Sequence, residues 1–226
     1  MGEALTFGIE VRTLVPLFVA VPLAACFLLQ LIAREKHVLA GWLTNLAMLA
    51  LVVMSLRMIG EIALYHLGGW PSPIGIDLRL DNLATLLLLV INTVGLAVGL
   101  YSVEYMKRYT ASAHFYGLFL LMVTGMNGVV LAGDLFNLYV FLEVAAVASY
   151  ALVAFGCAHE ELEASFKYII LGSLSSALIL VGVALVYGIT GTLNLAHMSG
   201  RRAETGLNAP LLLAFGLFIC GFSFKA

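Results

Sequence analysis

Charge is scarce in this chain. Only 11% of its 226 residues are Asp, Glu, Lys or Arg, against about 25% in an ordinary soluble domain. So few charges cannot cover a water-facing surface. The net charge is −2, which leaves no basic field, so no nucleic-acid partner is expected. Cysteine is scarce too. Cys26, Cys157 and Cys220 are scattered among apolar neighbours, so they suggest neither a disulfide framework nor a CxxC metal site. The five histidines are dispersed, with no HxxxH or HExxH spacing. No P-loop, Gly-rich dinucleotide fingerprint or Ser/His/Asp set stands out. No cofactor, no metal and no catalytic residue is therefore expected, and the chain reads as a conduit rather than a reaction centre. A cleavable signal peptide is not expected either. Residues 1–12 carry Glu3, Glu10 and Arg12, and the first apolar run is long enough to span a membrane.

Apolar residues take the place of charge. They make up 62% of the chain, and the mean hydropathy is +1.06. A helix needs about 20 apolar residues to cross the hydrocarbon core. Seven segments qualify or nearly so: 13–33, 38–59, 82–103, 115–133, 135–156, 165–188 and 210–226. The alternation of a β-barrel is missing, so backbone hydrogen bonding in lipid requires helices. The expected fold is an all-α polytopic membrane bundle of about seven spans.

The connections are short. Gly133-Asp134 joins two spans so tightly that they must be antiparallel neighbours. Gly68 to Gly75 is turn-rich, and the alternation from Ile74 to Leu80 predicts a small extramembrane hairpin near 68–80. Residues 189–209 read as the longest polar link. The expected organisation is a three-helix segment with the hairpin over 1–113, then a four-span unit over 114–226. One side of the membrane would hold Arg34, Lys36, Lys107 and Arg108. The other would hold Arg12, Arg79, Arg201 and Arg202, with Arg57 nearby. The first helix usually sets orientation, which predicts an N-terminus outside.

Gly95 and Gly99 form a GxxxG pattern. Gly172-Ser173-Leu174-Ser175-Ser176-Ala177 gives a narrow, polar-edged helix face. Both read as ordinary close packing of membrane helices.

Glu143 stands alone within Leu135–Phe155. It lies about 13 Å below Asp134 at 1.5 Å per residue. A charge at a helix centre costs about 2.5–3.5 kcal/mol on insertion scales, and intramembrane carboxylates are functional by default. Lys225 falls late in the last span. It could meet Glu143, in which case their separation becomes an electrostatic switch. Equally, it could snorkel to the far interface. Lys167 has Glu163 four residues before it, a favourable helix pair that explains it without function. Glu104 closes a span beside Lys107 and Arg108 and should pair with one of them. Asp134 has the position of a helix N-cap. Glu160, Glu161 and Glu163 form an acidic helix start that suits the dipole.

Several segments are similar to a known family. They are Phe115-Tyr116-Gly117-Leu118-Phe119 through Gly125-Met126-Asn127-Gly128, and Gly133-Asp134-Leu135-Phe136-Asn137-Leu138-Tyr139-Val140-Phe141-Leu142-Glu143. Glu161 to Tyr168, Tyr187 to Asn194 and Gly221 to Ala226 continue the pattern. Together they resemble the antiporter-like membrane subunits of respiratory complex I, membrane-bound hydrogenases and Mrp-type sodium/proton antiporters. The wording is nearest the Mrp D-type and hydrogenase-type branch. The resemblance implies that Glu143, Lys225 and Lys167 carry proton translocation; Glu104 and Asp134 are kept beside them as candidate accessory residues. It implies a hetero-oligomeric complex in a prokaryotic plasma (inner) membrane, carrying protons with or without exchange for Na+.

Such subunits have about fourteen spans built around two inverted repeats. This chain reads as an incomplete first half, so a partner chain carrying the second repeat is expected. A transport-inactive truncated scaffold is the alternative. A quinone-reducing enzyme is a third reading, weakened by the lack of any visible cofactor site.

Overall fold

The computed structural model describes residues 11–32, 37–70, 72, 75–109, 111–205 and 208–225. Arg34 and Lys36, on which the orientation rests, lie outside the described residues, as do the side chains of Arg108, Arg201 and Arg202.

Short α1 (Val11–Leu14) and α2 (Leu17–Ile32) form one broken span. The break falls at Pro16, which has no N–H to donate and disfavours helical backbone at the residue before it. The helix restarts as Val19 N and Ala20 N donate to Pro16 O at 3.1 and 2.9 Å. Five further spans follow: α3 (His37–Arg57), α4 (Asn82–Tyr105), α5 (Ser112–Leu131), α6 (Leu135–Val153) and α7 (His159–Thr190). Asp81 and Asp134 cap α4 and α6, accepting from Ala84 N at 2.8 Å and Asn137 N at 2.6 Å. The final helix, α9 (Ala209–Lys225), has 17 residues, is apolar, and is capped by Asn208.

Two boundaries differ from expectation. Helix α7 runs to 32 residues rather than 165–188. Its acidic first turn continues the helix beyond the apolar run, and Glu161 accepts from Ala158 N at 3.2 Å. The supposed polar link contains α8 (Leu195–Thr205). Asn194 starts it, its Oδ1 accepting from Ala196 N and His197 N at 3.1 and 3.2 Å.

The hairpin pairs β1 (Ala63–His66) with β2 (Asp77–Leu80), antiparallel, in register Ala63↔Leu80 and His66↔Asp77. Its first strand lies just before the expected 68–80 window. Gly68 and Gly69 turn the chain with φ of +65° and +76°, which glycine adopts without steric cost.

Helices α2 to α5 share one core of Phe18, Leu29, Met48, Leu51, Leu88, Tyr116 and Leu120, all fully buried or nearly so. Lipid offers helices no hydrophobic drive to associate, so close packing and hydrogen bonds must hold them. Gly95 and Gly99 do the first: a Cβ there would lie 2.5 Å from Met48 Cε and 2.6 Å from Asn45 Oδ1. A buried amide ladder does the second. Asn127 Nδ2 donates to Phe18 O at 3.1 Å and Asn92 Oδ1 at 3.2 Å, and Asn92 Nδ2 donates to Ser55 Oγ at 3.1 Å. Four helices are thereby joined. Helix α5 also packs on α6, α6 on α7, and α7 on α9. Large apolar side chains such as Trp42, Phe27 and Phe215 face outward, as a membrane protein requires.

Candidate functional site

Glu143 lies at the middle of α6. Lys225 Nζ donates to Glu143 Oε1 at 2.6 Å. Ser176 Oγ donates to the same oxygen at 2.5 Å. The Glu143 side chain is 28% exposed and that of Lys225 13%, so most of the pair is withdrawn from the surroundings. At such a depth an opposite charge at contact distance offsets part of the cost of burial for both groups.

Small residues make this meeting possible. A Cβ on Gly172 would collide with Tyr150 Oη, so only glycine lets α7 lie this close to α6. A Cβ on Gly221 would lie 2.6 Å from Ile179 Cγ1, and Ser175 Oγ donates to Gly221 O at 2.5 Å. This fixes α9 against α7. Lys225 follows Gly221 by four residues, hence on the same helix face, and is carried to Glu143.

The structure does not bring the other candidates to this pair. Lys167 Nζ holds Glu163 Oε1 at 2.6 Å on an exposed face. Nine residues separate Lys167 from Ser176, which is about two and a half turns, so the two face opposite sides of α7. Glu104 pairs with Lys107 at 2.5 Å, also exposed. Asp134 acts as the α6 cap.

Ser176 went unmarked among the candidates because a Ser/Gly stripe reads as packing. The signal available was its place halfway along a long apolar helix, where a hydroxyl needs a partner.

A second polar cluster escaped sequence reasoning. At one end of the bundle, Asp77 accepts from His66 Nδ1 at 2.5 Å, from Ser72 Oγ, and from Asn194 Nδ2 at 2.9 Å. Gly133 N donates to Asp77 O at 2.9 Å, Leu195 N to Gly133 O at 3.1 Å, and Leu135 N to Leu193 O at 3.0 Å. The hairpin, the α5–α6 link and the start of α8 are thus tied into one clasp. Burial pushes the Asp77 carboxyl up, but the bonds from Ser72 and His66, the charge of His66 and the Asn194 amide outweigh it and hold it below its ordinary range. Burial pushes Asp134 up; the Asn137 and Phe136 N–H groups oppose this, the nearby Asp77 charge adds to it, and the net direction is upward. An open cavity of about 870 Å³ lies beside this clasp, lined by Arg12, His66, Asp77, Arg79 and His197 among others, and not at Glu143. Depth in the membrane and the ion pair, rather than cavity size, mark Glu143 as the candidate site. Among the described residues no three His, Cys, Asp or Glu side chains converge as metal ligands would.

Among the described residues six helices are long and apolar enough to cross a membrane, and α6, α7 and α9 bring a carboxylate and an ammonium together, as in a multi-pass membrane protein. The family described as "NADH:quinone oxidoreductase/Mrp antiporter, TM" matches residues 132–226. "NADH-Ubiquinone oxidoreductase (complex I), chain 5 N-terminus" matches residues 71–116. The chain is 40% identical over 181 residues to the D-type subunit of a probable K(+)/H(+) antiporter of Rhizobium meliloti (strain 1021), covering 78% of this chain and 33% of that protein. It is 36% identical over 214 residues to the N-type subunit of the NADH-quinone oxidoreductase of Desulforudis audaxviator (strain MP104C), covering 94% and 42%. Its fold matches a chain of the membrane-bound sulfane sulfur reductase, an archaeal respiratory membrane complex, with a TM-score of 0.86 and 32% identity over 93% of this chain and 44% of that one. The chain belongs to the antiporter-like membrane subunit family shared by NADH:quinone oxidoreductases and Mrp antiporters. It spans between a third and a little over two fifths of the length of these relatives.

Proposed function

We propose that this chain is a proton-translocating membrane subunit, with Glu143 and Lys225 as its switchable pair. The observation that carries the reading is the 2.6 Å contact between Lys225 Nζ and Glu143 Oε1 in mid-bundle. With the ammonium in place, the carboxylate is held ionised. With the ammonium drawn away, an unpaired carboxylate in a low-dielectric interior recruits a proton. Alternating approach and withdrawal would load and discharge Glu143. Movement of Na+ in exchange is a variant of the same scheme, as the antiporter relatives suggest.

Such a switch needs a driving partner. The named relatives are subunits of antiporters and oxidoreductases, so this chain works beside other membrane subunits in a hetero-oligomeric complex. Its place is the plasma membrane of a prokaryote. The N-terminal end and the hairpin clasp lie outside.

The test is proton movement in everted vesicles carrying the whole native complex. Glu143→Gln is expected to abolish it, and wild-type rates in that variant would sink the proposal. Lys225→Ala is expected to behave like Glu143→Gln. Lys167, bound to Glu163 on the opposite face of α7, acts at most as an outer relay. Lys167→Gln is therefore expected to slow proton movement less than either, and Glu163→Gln to leave it near wild type.

A further inference from the structure

We propose that Ser176 is a positioning residue that anchors Glu143 in both of its protonation states. This rests on the reading of Glu143 and Lys225 as a switchable pair.

Ser176 Oγ lies 2.5 Å from Glu143 Oε1 and 2.8 Å from Gly172 O. A hydroxyl has one proton to donate and two lone pairs, so it serves these two acceptors one at a time. Two arrangements follow. With Glu143 ionised, the Ser176 proton points at Oε1, beside the Lys225 ammonium. With Glu143 protonated, the carboxyl O–H donates to Ser176 Oγ, and the Ser176 proton turns to Gly172 O. For Ser176 and Glu143 the passage is the arrival of one proton at the carboxyl and the rotation of one O–H bond, and the hydroxyl keeps both neighbours, Glu143 and Gly172 O, in either state.

Lys225 has no such duality. An ammonium only donates, and its charge favours the ionised carboxylate alone. When it withdraws, a flexible Glu side chain would follow it or turn elsewhere. Ser176 keeps the carboxyl in place for the next cycle.

The neighbouring hydroxyls lack this geometry. Ser175 donates to Gly221 O at 2.5 Å and holds α9. Ser173 back-bonds to Ile169 O at 2.7 Å on an exposed face. Of the serines in this stripe, Ser176 is the one whose hydroxyl meets Glu143.

The test uses the purified native complex and pH-induced infrared difference spectra. The carbonyl stretch of protonated Glu143 is the band that Glu143→Gln removes. Ser176→Ala is expected to move that band to higher frequency, because the carboxyl O–H loses its acceptor. It is also expected to slow proton movement in everted vesicles about tenfold, as loss of a hydrogen bond to a charged group does. Ser176→Thr keeps the hydroxyl and is expected to restore both band and rate. Should Ser176→Ala fail to assemble, Ser176→Cys, close in size and a poor donor, carries the same comparison. An unmoved band, or a full rate, in the hydroxyl-free variant overturns the role of Ser176 and leaves the ion-pair reading standing. Wild-type proton movement in Glu143→Gln overturns the ion-pair reading itself.

Discussion

Asn194 and Asp77 are 117 residues apart in the chain and meet at 2.9 Å, amide Nδ2 to carboxylate Oδ2. The same Asn194 caps α8 with its Oδ1. One side chain therefore starts a helix and ties down a hairpin. Replacing Asn194 with Ala removes both functions. A buried carboxylate that loses a donor costs about 1–3 kcal/mol, and a lost cap about 1 kcal/mol. The expected result is a lower Tm of the complex in mild detergent. An unchanged Tm would mean that the backbone bridges to Gly133 hold the hairpin unaided.

The clasp should survive mild acid. The Asp77 carboxyl is held below its ordinary range. A lowered carboxylate contributes stability that is present above its unfolded value, about 3.9, and lost as pH falls through the folded value. The hairpin should stay protected from proteolysis at neutral and mildly acidic pH and open only below about pH 4. Opening near pH 6 would show that Asp77 does not control it.

Asp134 carries the opposite sign. Its carboxyl is raised, first by burial. Such a group contributes stability that is fully present below the unfolded value and lost as pH rises through the folded one. Asparagine caps helices as well as aspartate does, whereas alanine costs about 1 kcal/mol. Asp134→Asn should therefore be at least as stable as wild type at pH 7, and Asp134→Ala should not. If Asp134→Asn assembles normally but loses proton movement, Asp134 has an accessory role beyond capping.

Helices α5 and α6 touch at the backbone. A Cβ on Gly125 would lie 2.5 Å from Ala145 N, and one on Gly128 would overlap the Phe141 ring. Backbone cannot rotate away as a flexible side chain can. Gly125→Val should abolish assembly, measured as loss of the subunit from membranes by immunoblot. Gly188→Ala, facing open space, should leave the amount unchanged.

Long apolar runs broken by few charges made the spans legible from the sequence, and Glu143 stood out for the same reason. Lys167 and Glu163 were also legible, since a helix pair four residues apart needs no tertiary information. Ser176 was not: its partner depends on how α7 is rotated against α6, which periodicity in a uniformly apolar helix does not reveal. The clasp was hidden for another reason. His66 and Asp77 sit in the α3–α4 connection, Gly133 in the α5–α6 link and Asn194 just before α8, and only the antiparallel alternation of the spans brings those three connections to one end of the bundle. Strand β1, four residues long, carries too little pattern to be told from a loop.

The close approach at Gly221 also sets how Lys225 can move. With the α9 backbone bonded to Ser175 one turn earlier, a piston-like slide of the helix would have to break that bond and the close contact at Ile179. In the proposed switch Gly221 would act as a fulcrum, and the stroke open to the charge would be chiefly that of the four-carbon lysine arm. A lever so short would separate the proposed pair without repacking the bundle and would return the ammonium to the same carboxylate each time.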